Sequence, residues 1–191
     1  TVRLTGGEES SADLVATGYV VAQVKAAVAS KATGRLRLLN VEEGDEIAEG
    51  EVVAELDNDD IRADLDLARA NLKRAQADSV AGARNYDRVV KLHDDSLVSE
   101  EDFEIATAVY ARAVADVEAM RARVRGTEVA LENTIIRAPF DGTVLTKHAD
   151  VGEMVTPFAS ASSSRGAVVT IADMSSLEVE ADVSESNIYK V

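Results

Sequence analysis

Apolar and small residues recur at helical spacing through the middle of the chain. Ile61, Leu65, Ala68, Leu72, Ala75, Ser79, Gly82, Tyr86, Val89 and His93 advance in alternating steps of four and three. Phe103, Ala106, Tyr110, Ala113, Val117, Met120, Val124, Thr127 and Leu131 advance in steps of three and four. A period of about 3.5 residues held for about four heptads is a coiled-coil pattern, so two helices are predicted. From Asp60 to Glu132 there is no Pro, Gly occurs only at Gly82 and Gly126, and Ala occurs fifteen times, all of which favours helix. Many seam positions are Ala, Ser or Gly, which lets two helices approach closely. Between the runs lies His93-Asp94-Asp95-Ser96-Leu97-Val98-Ser99, and Ser99 is followed by Glu100, Glu101 and Asp102. That is a helix N-cap with acids in its first turn. A connection this short makes the helices antiparallel neighbours, each about 50 Å long. A rod of that shape buries one stripe per helix and suits a spacer or an assembly.

The flanks of the rod carry alternating Val, Thr and Leu with Gly punctuation, the pattern of short strands and turns. They also repeat each other. Gly34 to Gly44 and Gly142 to Gly152 have the same spacing, Leu36 matches Val144, and Ile47 matches Val155. Each flank closes in a short strand and an Asp, at Val53–Asp57 and Val169–Asp173. Two copies of one small β-unit are implied, neither long enough to bury a core alone. The expected arrangement is one sandwich built from both halves, with the helical hairpin inserted between them. Leu14 to Val24 and Leu177 to Val183 lie outside the repeat and read as strands of a second β-region.

Charge and composition narrow the function. The chain has 191 residues with 35 acidic and 20 basic side chains, a net charge of −15. So acidic a chain is a poor ligand for polyanions, and nucleic acid is excluded as a partner. Absence of Cys removes thiol catalysis, disulfides and thiolate metal sites. There is no apolar run long enough for a membrane span, and the chain opens in what reads as mature sequence. Both ends read as truncated. No nucleophile elbow, P-loop or dinucleotide fingerprint occurs, so no enzyme activity and no catalytic residues are expected.

Two β-halves with this Gly spacing resemble the biotinyl/lipoyl domain, and a coiled-coil hairpin between them resembles the periplasmic adaptor subunits, or membrane fusion proteins, of bacterial tripartite efflux pumps. The stretches that carry the likeness are Val41-Glu-Glu-Gly-Asp-Glu-Ile-Ala-Glu-Gly50 through Leu56-Asp57, Ile136-Arg-Ala-Pro-Phe-Asp-Gly142 through Val155, and Leu177–Glu185. The resemblance implies an α+β fold: a lipoyl-like β-sandwich split by a long antiparallel coiled-coil hairpin, plus partial β-barrel or membrane-proximal strands. In residues, these are sandwich halves at 25–57 and 134–173, a hairpin at 58–133, and barrel-region strands at 1–24 and 174–191. It implies a non-catalytic adaptor, periplasmic and anchored to the inner membrane in the full-length protein. Its partners would be an inner-membrane transporter of RND or ABC type, a TolC-like outer-membrane channel, and further copies of itself, commonly six. It also implies a role for Arg88, Leu92 and Ser99. They fit the family's tip pattern Arg-x3-Leu-x6-Ser, which is implicated in docking to the channel.

Physically, Arg88 and Leu92 stand one turn apart on one helical face, and Ser99 caps the returning helix. A donor fork, an apolar knob and a hydroxyl suit contact with the helical ends of a partner. The plainer alternative is that Arg88 serves the helix terminus, Leu92 the seam and Ser99 the cap. Other motifs have structural explanations. Asp57-Asn58-Asp59-Asp60 fails as a calcium loop, because Arg62 and Ala68 stand where Gly and Glu are needed, and reads as a helix N-cap. A swinging-arm carrier, the alternative to an adaptor along with a generic coiled-coil scaffold, would need a Lys at the turn that the helices interrupt. Lys25, Lys31 and Lys147 all lie elsewhere, so no cofactor is expected. His93, His148, Met120, Met154 and Met174 form no cluster, and no metal is expected. His93 reads as a helix-end residue, and Asp87 with Lys91 as an i,i+4 pair. The tip is expected to be partly basic. Ser160–Gly166 reads as a surface loop, with the sharper possibility that it lines a conduit.

Overall fold

The computed structural model describes residues 17–157 and 166–182. Both ends of the chain and Ser160–Arg165 of the polar loop lie outside the described residues. In order, the strands before the rod are β1 (Thr17–Ala22), β2 (Lys25–Ala29), β3 (Gly34–Leu39), β4 (Glu46–Ile47) and β5 (Val52–Leu56). The rod is α1 (Asp59–Asp94) and α2 (Glu100–Glu132). The strands after it are β6 (Ile135–Arg137), β7 (Gly142–Lys147), β8 (Met154–Val155), β9 (Ala167–Ala172) and β10 (Leu177–Asp182).

Two four-stranded sheets form the sandwich, in the orders β2-β9-β7-β4 and β6-β5-β3-β8. The halves do not sit side by side as separate sheets. Each lends a short strand to the other: β4 pairs with β7, and β8 pairs with β3, both antiparallel. The exchange is symmetric down to single hydrogen bonds. Gly44 N–H donates to Val144 at 2.8 Å, and Gly152 N–H donates to Leu36 at 2.7 Å. Both glycines have left-handed φ, 98° and 99°, which a side chain would strain. This is the physical content of the Gly spacing in the sequence. Leu36 and Val144 are fully buried, Ile47 and Val155 are buried, and Val53, Leu56, Val168, Val169 and Ile171 complete the centre of the core. The unbroken apolar run of β9 is buried along its whole length, as expected of a strand covered on both faces.

The helices follow the heptads. Every buried helical residue, Leu65, Ala68 and Ala75 on α1 and Ala106, Val117, Val124 and Thr127 on α2, is a predicted seam position. The hairpin replaces the turn between β5 and β6, so no Lys is presented there. Outside the sandwich, β1 and β10 pair antiparallel, with Val20 opposite Val179 and Ala22 opposite Leu177.

The Asp57–Asp60 cluster stands at the start of α1 as expected, with Asn58 at the N-cap position and Asp59 and Asp60 in the first turn, but the Asn58 side chain makes no cap hydrogen bond. It bonds instead with Glu55, Thr134 and Arg62. Two expectations need correction. The Asp87–Lys91 pair is not among the ion pairs of the described residues; both side chains are exposed, where holding such a pair gains little over hydration. The tip is more acidic than expected: Asp94, Asp95, Glu100, Glu101 and Asp102 surround the connection, all exposed, and outnumber Arg88, Lys91 and His93 on the last turns of α1.

Candidate functional site: the hairpin tip

The rod projects about 50 Å from its root, at 1.5 Å per residue over the 33 residues of α2. Its root is fixed to the sandwich by buried polar chemistry. Asn58 Nδ2 donates to Thr134 Oγ1 at 2.9 Å and to Glu55 Oε1 at 3.0 Å, while Arg62 Nε donates to Asn58 Oδ1 at 2.8 Å. Ion pairs surround this site: Arg62 with Glu55 at 2.8 Å, Arg37 with Asp59 at 2.6 Å and Arg137 with Glu132 at 2.7 Å. The Arg137 hydrogen bond holds the Glu132 carboxyl below the ordinary glutamate range. Asp59 raises the already high pKa of Arg37.

At the far end, α1 stops in a Schellman motif. Ser96 N–H donates to His93 O at 2.8 Å and Leu97 N–H donates to Leu92 O at 2.8 Å. Ser96 takes the left-handed conformation, φ 59°, that glycine usually supplies. Ser99 then caps α2: its Oγ accepts from Asp102 N–H at 3.2 Å and donates to Asp102 Oδ2 at 2.6 Å.

The structure brings Arg88, Leu92 and Ser99 to this end of the rod. Arg88 is exposed, and its Nη2 donates to Asn85 Oδ1 at 2.5 Å. Among the described residues it has no carboxylate partner. Leu92 is half-buried and Ser99 exposed. Ser99 is already engaged in its cap, so it can offer a partner only its remaining lone pair.

Two features of the tip escaped the sequence reading. Leu97 is 69% exposed, an apolar side chain at the outermost turn. The signal available was an apolar residue placed between two helix caps. Beneath it lies an aromatic ladder. His93 stacks on Phe103 at 4.6 Å, Phe103 lies 6.2 Å from Tyr86, and Tyr86 stacks on Tyr110 at 5.4 Å. All four were seam positions; their common aromaticity at one end of the seam was the missed signal. His93 Nε2 also meets Glu100 Oε2 at 2.9 Å, tying the two helices across the connection. The tip is thus a braced platform with an apolar knob and an unpaired guanidinium. Among the described residues, no group of three metal-ligating side chains forms.

Comparison with known proteins agrees with this architecture. Residues 24–173 match the family described as "CzcB-like, barrel-sandwich hybrid domain". The chain belongs to that family, whose members are membrane fusion proteins, non-catalytic adaptors. It is 28% identical over 174 residues to the multidrug resistance protein MdtA of Pantoea ananatis, covering 91% of this chain and 41% of that protein. Among solved structures it is similar to a MacA–MexA chimeric protein containing the Pseudomonas aeruginosa MexA α-hairpin domain. There the TM-score is 0.60 with 27% identity, over 92% of this chain and 57% of the other. MacA from Actinobacillus actinomycetemcomitans gives a TM-score of 0.61 with 25% identity, over 93% and 58%. The chain therefore spans less than half the length of the MdtA relative it matches.

Proposed function

We propose that this chain is the sandwich and hairpin of a periplasmic adaptor that links an inner-membrane transporter, of RND or ABC type, to a TolC-like outer-membrane channel. The full-length protein is anchored to the inner membrane and works as a ring of copies, six in the family pattern. The β1–β10 pair belongs to its barrel or membrane-proximal region. The function is mechanical: the rod spans distance and the tip docks, with Arg88 donating to a partner's exposed carbonyls, Leu92 and its apolar neighbour filling a depression, and Ser99 holding the turn in shape.

The observation that carries this reading is the tip itself. A rod that ended freely in solvent would gain nothing from an exposed Leu97 at its outermost turn and an unpaired Arg88 near the same end, where an aromatic ladder ties the two helices together. A contact end would. Family membership and the multidrug resistance relative support export as the setting. The test is co-purification of the full-length protein with its candidate channel, comparing wild type with Arg88→Asp and Leu92→Asp. Loss of capture and of export in either variant, with helicity intact, is the expected result. Capture and export unchanged in both would refute tip docking.

A further inference from the structure

Among the described residues, only two side-chain hydrogen bonds join α1 to α2. Arg69 with Glu128 lies in the half of the rod nearer the sandwich, and His93 with Glu100 lies at the connection. His93 is half-buried and acts in three ways at one point. Its backbone carbonyl accepts from Ser96 N–H at 2.8 Å, closing the turn that ends α1. Its ring stacks on Phe103 of α2, with centroids 4.6 Å apart and planes 26° from parallel. A carboxylate only accepts, so its Nε2 donates to Glu100 Oε2 across 2.9 Å. Glu100 and Phe103 are neighbours on one face of α2, at i and i+3, so a single side chain grips the start of that helix twice.

The turn that follows needs such a grip. Ser96 sits at φ 59° without the conformational freedom of glycine. Leu97 N–H donates to Leu92 O at 2.8 Å, so the half-buried Leu92 and the exposed Leu97 form one apolar step at the end of the rod. The hydrogen bonds of this turn fix the step to α1 alone. Its placement against α2 depends on what crosses the connection, and His93 makes the one side-chain hydrogen bond that does so at this end among the described residues. We infer that His93 is a positioning residue for tip docking: through Phe103 and Glu100 it holds the Leu92–Leu97 step in the orientation that a partner meets. One face of its ring and its Nε2 are taken up within the hairpin, so it acts through the leucines rather than on the partner.

This role deepens the proposed tip docking and rests on it. Full-length protein is compared with His93→Phe, Glu100→Ala and the double variant. Phe keeps a ring for Phe103 and removes the donor, and Ala removes the acceptor. Hydrogen exchange at the Leu97 amide, read without a channel, should quicken severalfold in each variant, while the amide of Val117 in the middle of the rod keeps its wild-type rate. Capture of the candidate channel should weaken severalfold in each single variant. The double variant should lose no more than the worse of the two, because both residues serve one contact. Glu100→Gln keeps an acceptor for Nε2 and should recover most of the capture that Glu100→Ala loses. Unchanged exchange in both single variants would overturn the inference. So would additive losses of capture, or no recovery in Glu100→Gln, since either would mean that Glu100 acts on the partner independently of His93. Capture lost in Leu92→Asp but kept in His93→Phe would sink the positioning role alone. Capture indifferent to Leu92→Asp and Arg88→Asp would sink tip docking, and this role with it.

Discussion

Asn58 and Thr134, 76 residues apart in sequence, share a 2.9 Å hydrogen bond in a buried site where the two helices leave and rejoin the sandwich. Thr134 Oγ1 also donates to Leu131 O at 2.6 Å, which closes the last turn of α2 onto the same point. A small buried polar cluster therefore ties both ends of the rod to the sandwich. Thr134→Val keeps the shape but removes the acceptor. It should lower stability by about 1–3 kcal/mol in denaturant unfolding, the cost of weakening a buried polar group's satisfaction. No loss of stability would show that Glu55 alone satisfies the Asn58 amide.

Two glycines make opposite forecasts for one chemical change. At Gly82 an added Cβ would meet Ala113 Cβ and Tyr110 at 3.8 Å, ordinary contact in the seam. Gly82→Ala should stabilise the chain by about 0.5–1 kcal/mol, since Gly is costly inside a helix. At Gly142 the same atom would lie 2.6 Å from the Ala172 carbonyl oxygen. Gly142→Ala should destabilise by at least about 1–3 kcal/mol, because β7 and β9 must separate to admit it. Thermal unfolding of both variants tests the pair; equal effects would contradict the packing described.

Ser96 holds the left-handed position of the α1 terminus at φ 59°. Ser96→Gly should relieve about 1 kcal/mol of backbone cost. The readout is hydrogen exchange at the Ser96 and Leu97 amides, which should slow by about fivefold, the rate equivalent of that energy. Faster exchange would mean that Ser96 contributes more to the turn than its backbone.

Glu132 titrates below the ordinary glutamate range because Arg137 donates to it. A depressed folded-state value means that the pair's contribution is present above the unfolded value of Glu132. It is lost as pH falls through the lower, folded one. Since the pair is exposed, the effect is best read at the residue itself. An NMR titration should place the Glu132 midpoint below 4.5, and Arg137→Ala should return it to about that value. An unchanged midpoint would remove Arg137 as the cause.

The sequence by itself determined the elements whose signal is periodic or repeated. The heptads placed the seam residue by residue, because burial along a two-helix rod depends only on which face each residue occupies. The matched glycines placed the turns, because a left-handed φ is a local demand. The Ser99 cap was legible for the same reason. Only the tertiary structure decided what depends on residues distant in sequence. The exchange of β4 and β8 between halves joins strands that lie on opposite sides of the whole rod. The Asp57–Asp60 cluster was legible as a helix start from its local context, but the partner of the Asn58 amide, Thr134, lies beyond two helices. The stacking order of the aromatic ladder likewise became visible only when α1 and α2 were set at a fixed level. Relative height between helices is a property of packing, which a local pattern does not encode.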